Sequence, residues 1–130
     1  MIRNLVAVLI VVGLAAAVNA QTCLMDGQGT YTATNAQGSM RIHIADVITG
    51  GSVTSSTAMI SFTSGALSGS RSYVGTGVAD TVGDEALVFT SNTRTIARAD
   101  VTRPSNNAAG KLVDTYRNLT VMFIGPRVCH

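Results

Sequence analysis

Arg41 and His43 stand two residues apart in the stretch MRIHIADV, so an extended backbone projects both from the same face. A guanidinium beside an imidazole forms a cationic clamp suited to a carboxylate or phosphate on a ligand. The plainer reading makes this the solvent side of an amphipathic strand, with Met40, Ile42 and Ile44 packed on the other side. Arg94, Arg98 and Asp100 share a second strand face with Ile96. On an outer surface an Arg–Asp pair of this kind is an ion pair worth about 0–1 kcal/mol. On the inside of a barrel it would line a pocket. The candidate ligand-binding residues are therefore Arg41, His43, Arg98 and Asp100.

Catalytic and metal patterns are sparse. No GxSxG elbow accompanies the many serines, and the histidines are only His43 and His130. The adjacent carboxylates Asp84 and Glu85 would point to opposite faces of a strand, which rules them out as an acid–base pair by themselves. Gly75-Thr76-Gly77 lacks the rest of a phosphate-binding loop. No CxxC or HxxxH spacing joins the cysteines and histidines, so no metal or cofactor is expected. An enzyme relying on His43 with Arg41 is the least favoured function.

The two cysteines, Cys23 and Cys129, lie near opposite ends of the chain. Residues 1–20 read as a secretory leader: Arg3, an apolar run of 14 residues from Leu5 to Val18, then small residues before a cut after Ala20. A membrane anchor needs about 20 apolar residues. The leader predicts a secreted, extracellular protein with no membrane association once it is removed. Two cysteines in an oxidising compartment pair, here as Cys23–Cys129. That bridge brings both ends of the mature domain together.

Residues 21–130 make one domain. Without the leader's Arg3 the chain carries eight basic and seven acidic residues, scattered and without aromatic interleaving, which excludes a nucleic-acid partner. Ser, Thr, Gly, Ala and Val dominate, a mixture of strand formers and turn residues. Alternating runs occur at Gly29–Thr34, Met40–Val47, Ser52–Thr63, Arg71–Val82, Ala86–Thr90 and Arg94–Val101. Gly50-Gly51 is a hairpin signal. RPSNNAAG reads as a loop, and Leu112–Arg117 fits a short helix or the start of a strand that runs on to Ile124. The prediction is an all-β domain of about seven or eight short strands, either an up-and-down barrel or a β-sandwich. Glycines inside the run Arg71–Val82 mark a bend, a bulge or the close approach of another backbone; alternatively Gly75, Gly77 and Ala79 would leave room in a barrel interior. Asn118-Leu119-Thr120 is a glycosylation acceptor triplet in a eukaryotic source.

The stretch CLMDGQGTYTATNAQGSMRI resembles the first hairpin of avidin-like barrels: a cysteine, a glycine-containing first strand, then GSM and an isoleucine. The resemblance spans about 20 residues and implies barrel-hairpin construction. The biotin pocket of that family depends on tryptophans, and this chain has none, so its activity is not implied. The functional expectation is a non-enzymatic extracellular module that binds a small ligand or a protein partner. The alternative is a structural or adhesive component that self-associates through poorly guarded strand edges.

Overall fold

The computed structural model describes residues 19–80, 82–102 and 107–130. The leader expected at residues 1–20 therefore falls, apart from Asn19 and Ala20, outside the described residues. Eight antiparallel strands follow one another: β1 (Gln21–Ala33), β2 (Ala36–Thr49), β3 (Ser52–Phe62), β4 (Ser70–Ala79), β5 (Glu85–Ser91), β6 (Arg94–Thr102), β7 (Asn107–Asp114) and β8 (Leu119–Cys129). Each pairs with its chain neighbours, and β8 pairs back onto β1, closing an up-and-down barrel. The fold is thus the barrel and not the sandwich.

Closure is covalent as well as hydrogen-bonded. Cys23 and Cys129 are direct partners in the β1–β8 ladder, with Cα atoms 4.0 Å apart, and their sulfurs are joined across a separation of 106 residues. Just beyond the bridge, Thr22 and His130 exchange backbone hydrogen bonds of 3.1 and 2.8 Å, which fix the last residue of the chain.

Tight turns set the register. Gly50, at φ +64°, lets β2 reverse into β3 through Gly50-Gly51, with Thr49 opposite Ser52. Asn92 and Thr93 both take positive φ between Ser91 and Arg94, the backbone of a two-residue hairpin turn. Between β4 and β5, the Asp80 carboxylate accepts hydrogen bonds from the Val82 and Asp84 amides, each 3.0 Å long. The C-terminal segment departs from expectation. Asn107–Gly110, read as loop, pairs with β8, and the run after Leu112 breaks at a turn ending in Asn118, where φ is +53°. Small side chains at Ala108, Ala109 and Gly110 hide a strand that sequence patterning reads through hydrophobic size.

Apolar residues point inward on every strand, and the interior is filled. Tyr31, Tyr73, Phe89, Met40, Ile60 and Leu112 are among its fully buried side chains. The room expected at Gly75, Gly77 and Ala79 is absent. A Cβ at Gly75 would lie 1.9 Å from the Val88 carbonyl oxygen, and one at Gly77 would lie 2.1 Å from that of Ala86. These glycines admit the β5 backbone, not a ligand. Outward positions on β1 and β2 carry Asp26, Gln28, Thr30, Arg41 and His43.

One end, which holds the disulfide, also contains a buried ion pair: Arg127 of β8 reaches Glu85 of β5 and donates to the Gly83 carbonyl at 3.1 Å. The other end, here called the mouth, carries the β1–β2, β3–β4, β5–β6 and β7–β8 connections. There the Tyr31 hydroxyl donates to the Ser64 carbonyl at 2.9 Å and accepts from the Leu67 amide at 3.1 Å, tying the β3–β4 loop to β1.

Candidate ligand site at the barrel mouth

Closure of the barrel decides where the expected site residues face. Arg41 and His43 project outward from β2, while Arg98 and Asp100 project outward from β6. Three strands lie between β2 and β6 on either side of the ring of eight, so the two pairs lie on opposite walls and do not form one site. The inward face of β6 is Ala97, Ala99 and Val101, so Arg98 and Asp100 line no interior pocket. Nor do they form an ion pair with each other. Two steps along an extended strand separate their Cα atoms by about 7 Å, with the side chains parallel.

His43 has a partner that sequence patterning did not supply. Its Nδ1 lies 2.7 Å from Asp26 Oδ1, because Asp26 and His43 face each other in the β1–β2 register. The two flank an open recess of about 420 Å³ that Arg41, Gln28 and Ser61 also line. The side chains of His43 and Asp26 are 46% and 79% exposed, so no surrounding packing fixes their geometry.

At the mouth the polar groups are anchored from beneath. A cleft of about 650 Å³ opens between β4, the β5–β6 hairpin and the β7–β8 turn. Its floor is Tyr73, whose hydroxyl donates to Asp114 Oδ2 at 2.7 Å. Arg117 closes the network from above. Its backbone amide donates to Asp114 Oδ1 at 2.9 Å and its Nε to Oδ2 at 3.0 Å, while its guanidinium carbon stands 5.4 Å from the Tyr73 ring centre. Arg94, Ser91, Asn92, Thr90 and Ser72 line the sides, and Tyr116 stands at the rim with 70% of its surface exposed.

The electrostatics follow from burial. Removal from water would by itself raise the Asp114 carboxyl, but hydrogen bonds from Tyr73 and from Arg117, together with the charge of Arg117, hold it below its ordinary 3.8. Burial, the hydrogen bond to Asp114 and its negative charge push the Tyr73 phenol up to about 12, against the smaller opposing pull of Arg117 and Arg71. Asp114 thus accepts from both Tyr73 and Arg117 and holds the Arg117 side chain in place.

No family model, curated protein or solved structure matches the chain. The chemistry of the site therefore has to be read from its own residues. Sequence reasoning passed over Tyr73, Asp114, Tyr116 and Arg117. The available signal was the turn DTYRN itself, where an Asp opens the turn and accepts the amide three residues on, and an Asn closes it in the left-handed conformation. Asn118 lies in that turn, exposed and ahead of β8 instead of inside a strand, and its side-chain amide donates to Thr34 Oγ1. Among the described residues no group of three or more His, Cys, Asp or Glu side chains is placed to hold a metal ion.

Proposed function

We propose that the protein is an exported, non-enzymatic binding module that takes a small ligand into its mouth cleft. The observation that carries this reading is the contrast between a packed interior and an open, polar mouth whose Arg117 is fixed by a buried carboxylate. A ligand group meeting Arg117 finds a donor already held in place, so less side-chain freedom is lost on binding. The wall recess around Arg41 and His43 offers no such anchoring. The disulfide and the leader support export. Titrating isotope-labelled protein with a library of small polar metabolites tests the reading. Amide shifts should concentrate at residues 72–74, 90–96 and 116–117; shifts confined to 26–28 and 41–43 would refute it.

A second reading, self-association, is favoured by a stripe of exposed Met122, Ile124 and Val128 on β8, with Leu24 of β1 opposite Val128. Closure of the barrel leaves only short edges, such as Ser70–Val74 of β4, without a partner strand, so contact would be chiefly wall against wall. Sedimentation over a wide concentration range checks it, and a monomer throughout would remove it.

A further inference from the structure

We infer that the ligand of the mouth is an anionic saccharide, a sugar bearing a carboxylate or sulfate; this rests on the reading of the mouth as the binding site. The first support is the balance of charge. The mouth end carries Arg71, Arg94 and Arg117 against one carboxylate, Asp114, which is already bonded to Tyr73 and Arg117. Arg94 lines the cleft and makes no ion pair among the described residues, whereas Arg71 lies over the Phe62 ring and does not line it. An oxyanion in the cleft gives Arg94 the charged acceptor that it lacks. The two cations that line the cleft, Arg94 and Arg117, are arginines, whose planar forks match carboxylate and sulfate oxygens.

The second support is the rest of the lining. Ser72, Thr90, Ser91 and Asn92 offer hydroxyl and amide groups that can exchange hydrogen bonds with sugar hydroxyls. The exposed Tyr116 ring and Val74, both lining the cleft, offer a sugar ring apolar surface to lie against. A volume of about 650 Å³ suits a saccharide of one or two rings better than a macromolecular segment. Thr93 at the lip adds a third sign. A β-branched residue held at φ +65° is strained, and strain of this kind gathers where a surface is shaped for a purpose.

The third support is polarity along the barrel axis. Among the described residues, the disulfide end gathers Asp46, Asp80, Asp84 and Glu85 against Arg127 and His130, opposite in sign to the mouth. Such an arrangement draws anions to the mouth and turns them from the other end.

Calorimetric titration of the mature, oxidised protein at low ionic strength tests the inference, with glucose, glucuronate, glucose 6-sulfate and inorganic sulfate as probes. Glucuronate and glucose 6-sulfate should bind at least tenfold more tightly than glucose. Arg94→Ala should weaken both by about tenfold, as expected for loss of one charge-assisted contact, while Arg94→Lys recovers part of the loss. Tyr116→Ala should weaken glucose 6-sulfate and leave inorganic sulfate unchanged. Equal binding of glucose and the charged sugars, or no effect of Arg94→Ala, overturns the anionic assignment and leaves the mouth reading standing. Sulfate binding as tightly as glucose 6-sulfate, with no effect of Tyr116→Ala, overturns the saccharide part. If no probe binds, the saccharide inference falls; the metabolite titration then decides separately whether the mouth binds anything.

Discussion

Replacing Cys23 and Cys129 together by alanine removes the covalent link between β1 and β8 without altering the ladder around it. The cost can be worked from the length of the loop it closes. With 106 residues between the sulfurs, the chain-entropy relation gives about 16 cal/mol/K, or about 4.7 kcal/mol at 25 °C. Cys23 is buried, so its truncation adds a further packing loss. A domain of this size is stable by only about 5–15 kcal/mol, so the variant should sit near the edge of folding at body temperature. Urea unfolding followed by circular dichroism measures this directly. The variant should lose about 3–5 kcal/mol, and its m-value should rise because the unlinked unfolded chain is more expanded. A loss below about 1 kcal/mol with an unchanged m-value would refute the reasoning. It would mean that the β1–β8 hydrogen bonds alone determine closure.

Gly75→Ala should destabilise the barrel by about 1–3 kcal/mol or more, since the new methyl meets the Val88 carbonyl oxygen and not empty space; a neutral result in thermal unfolding would restore the idea of interior room. Arg127→Met takes the guanidinium away from the buried Glu85 and should cost about 3–5 kcal/mol, with Glu85→Leu in the same chain recovering much of it, as denaturant midpoints would report. Because the Asp114 carboxyl is depressed in the folded protein, its contribution to stability is present above its ordinary value of 3.8 and is lost as pH falls through the folded value. Melting temperature should therefore drop on acidification below about pH 4, and the part of that drop due to Asp114 should vanish in Asp114→Asn. An unchanged acid limb in that variant would contradict the depressed carboxyl.

Much of the barrel was legible in the sequence because closure imposes period-two patterning on every strand. MRIHIADV placed Ile42 and Ile44 inside and Arg41 and His43 outside, as in the structure. Gly50-Gly51 marked its turn, and the two cysteines marked the junction of first and last strands. What failed was local. A strand built from Ala108, Ala109 and Gly110 has too little apolar bulk to stand out, although its small residues fit against Phe123. The glycines of β4 read either as interior space or as the close approach of another backbone, because both look the same in one dimension; the structure shows the second.

The site was harder to read than the fold. Strand alternation groups residues along one strand, so it brought forward Arg41 with His43 and Arg98 with Asp100. The mouth instead joins groups across the barrel, from Tyr73 on β4 to Asp114 on β7 and Arg117 in the following turn. Tyr73 and Asp114 are 41 residues apart and meet only through the ring closure. The same holds for Asp26 with His43, whose contact depends on a two-residue β1–β2 turn at Thr34-Asn35 and a β1 strand beginning at Gln21. Register across strands, not pattern within one, carried the missing information.

A crystal of the protein soaked with glucose 6-sulfate tests the central claim most directly. The account predicts sugar density in the mouth cleft, with sulfate oxygens within hydrogen-bonding distance of the Arg94 or Arg117 guanidinium and the ring against Tyr116. Density on the outer wall beside Arg41 and His43, with the mouth empty, would contradict it.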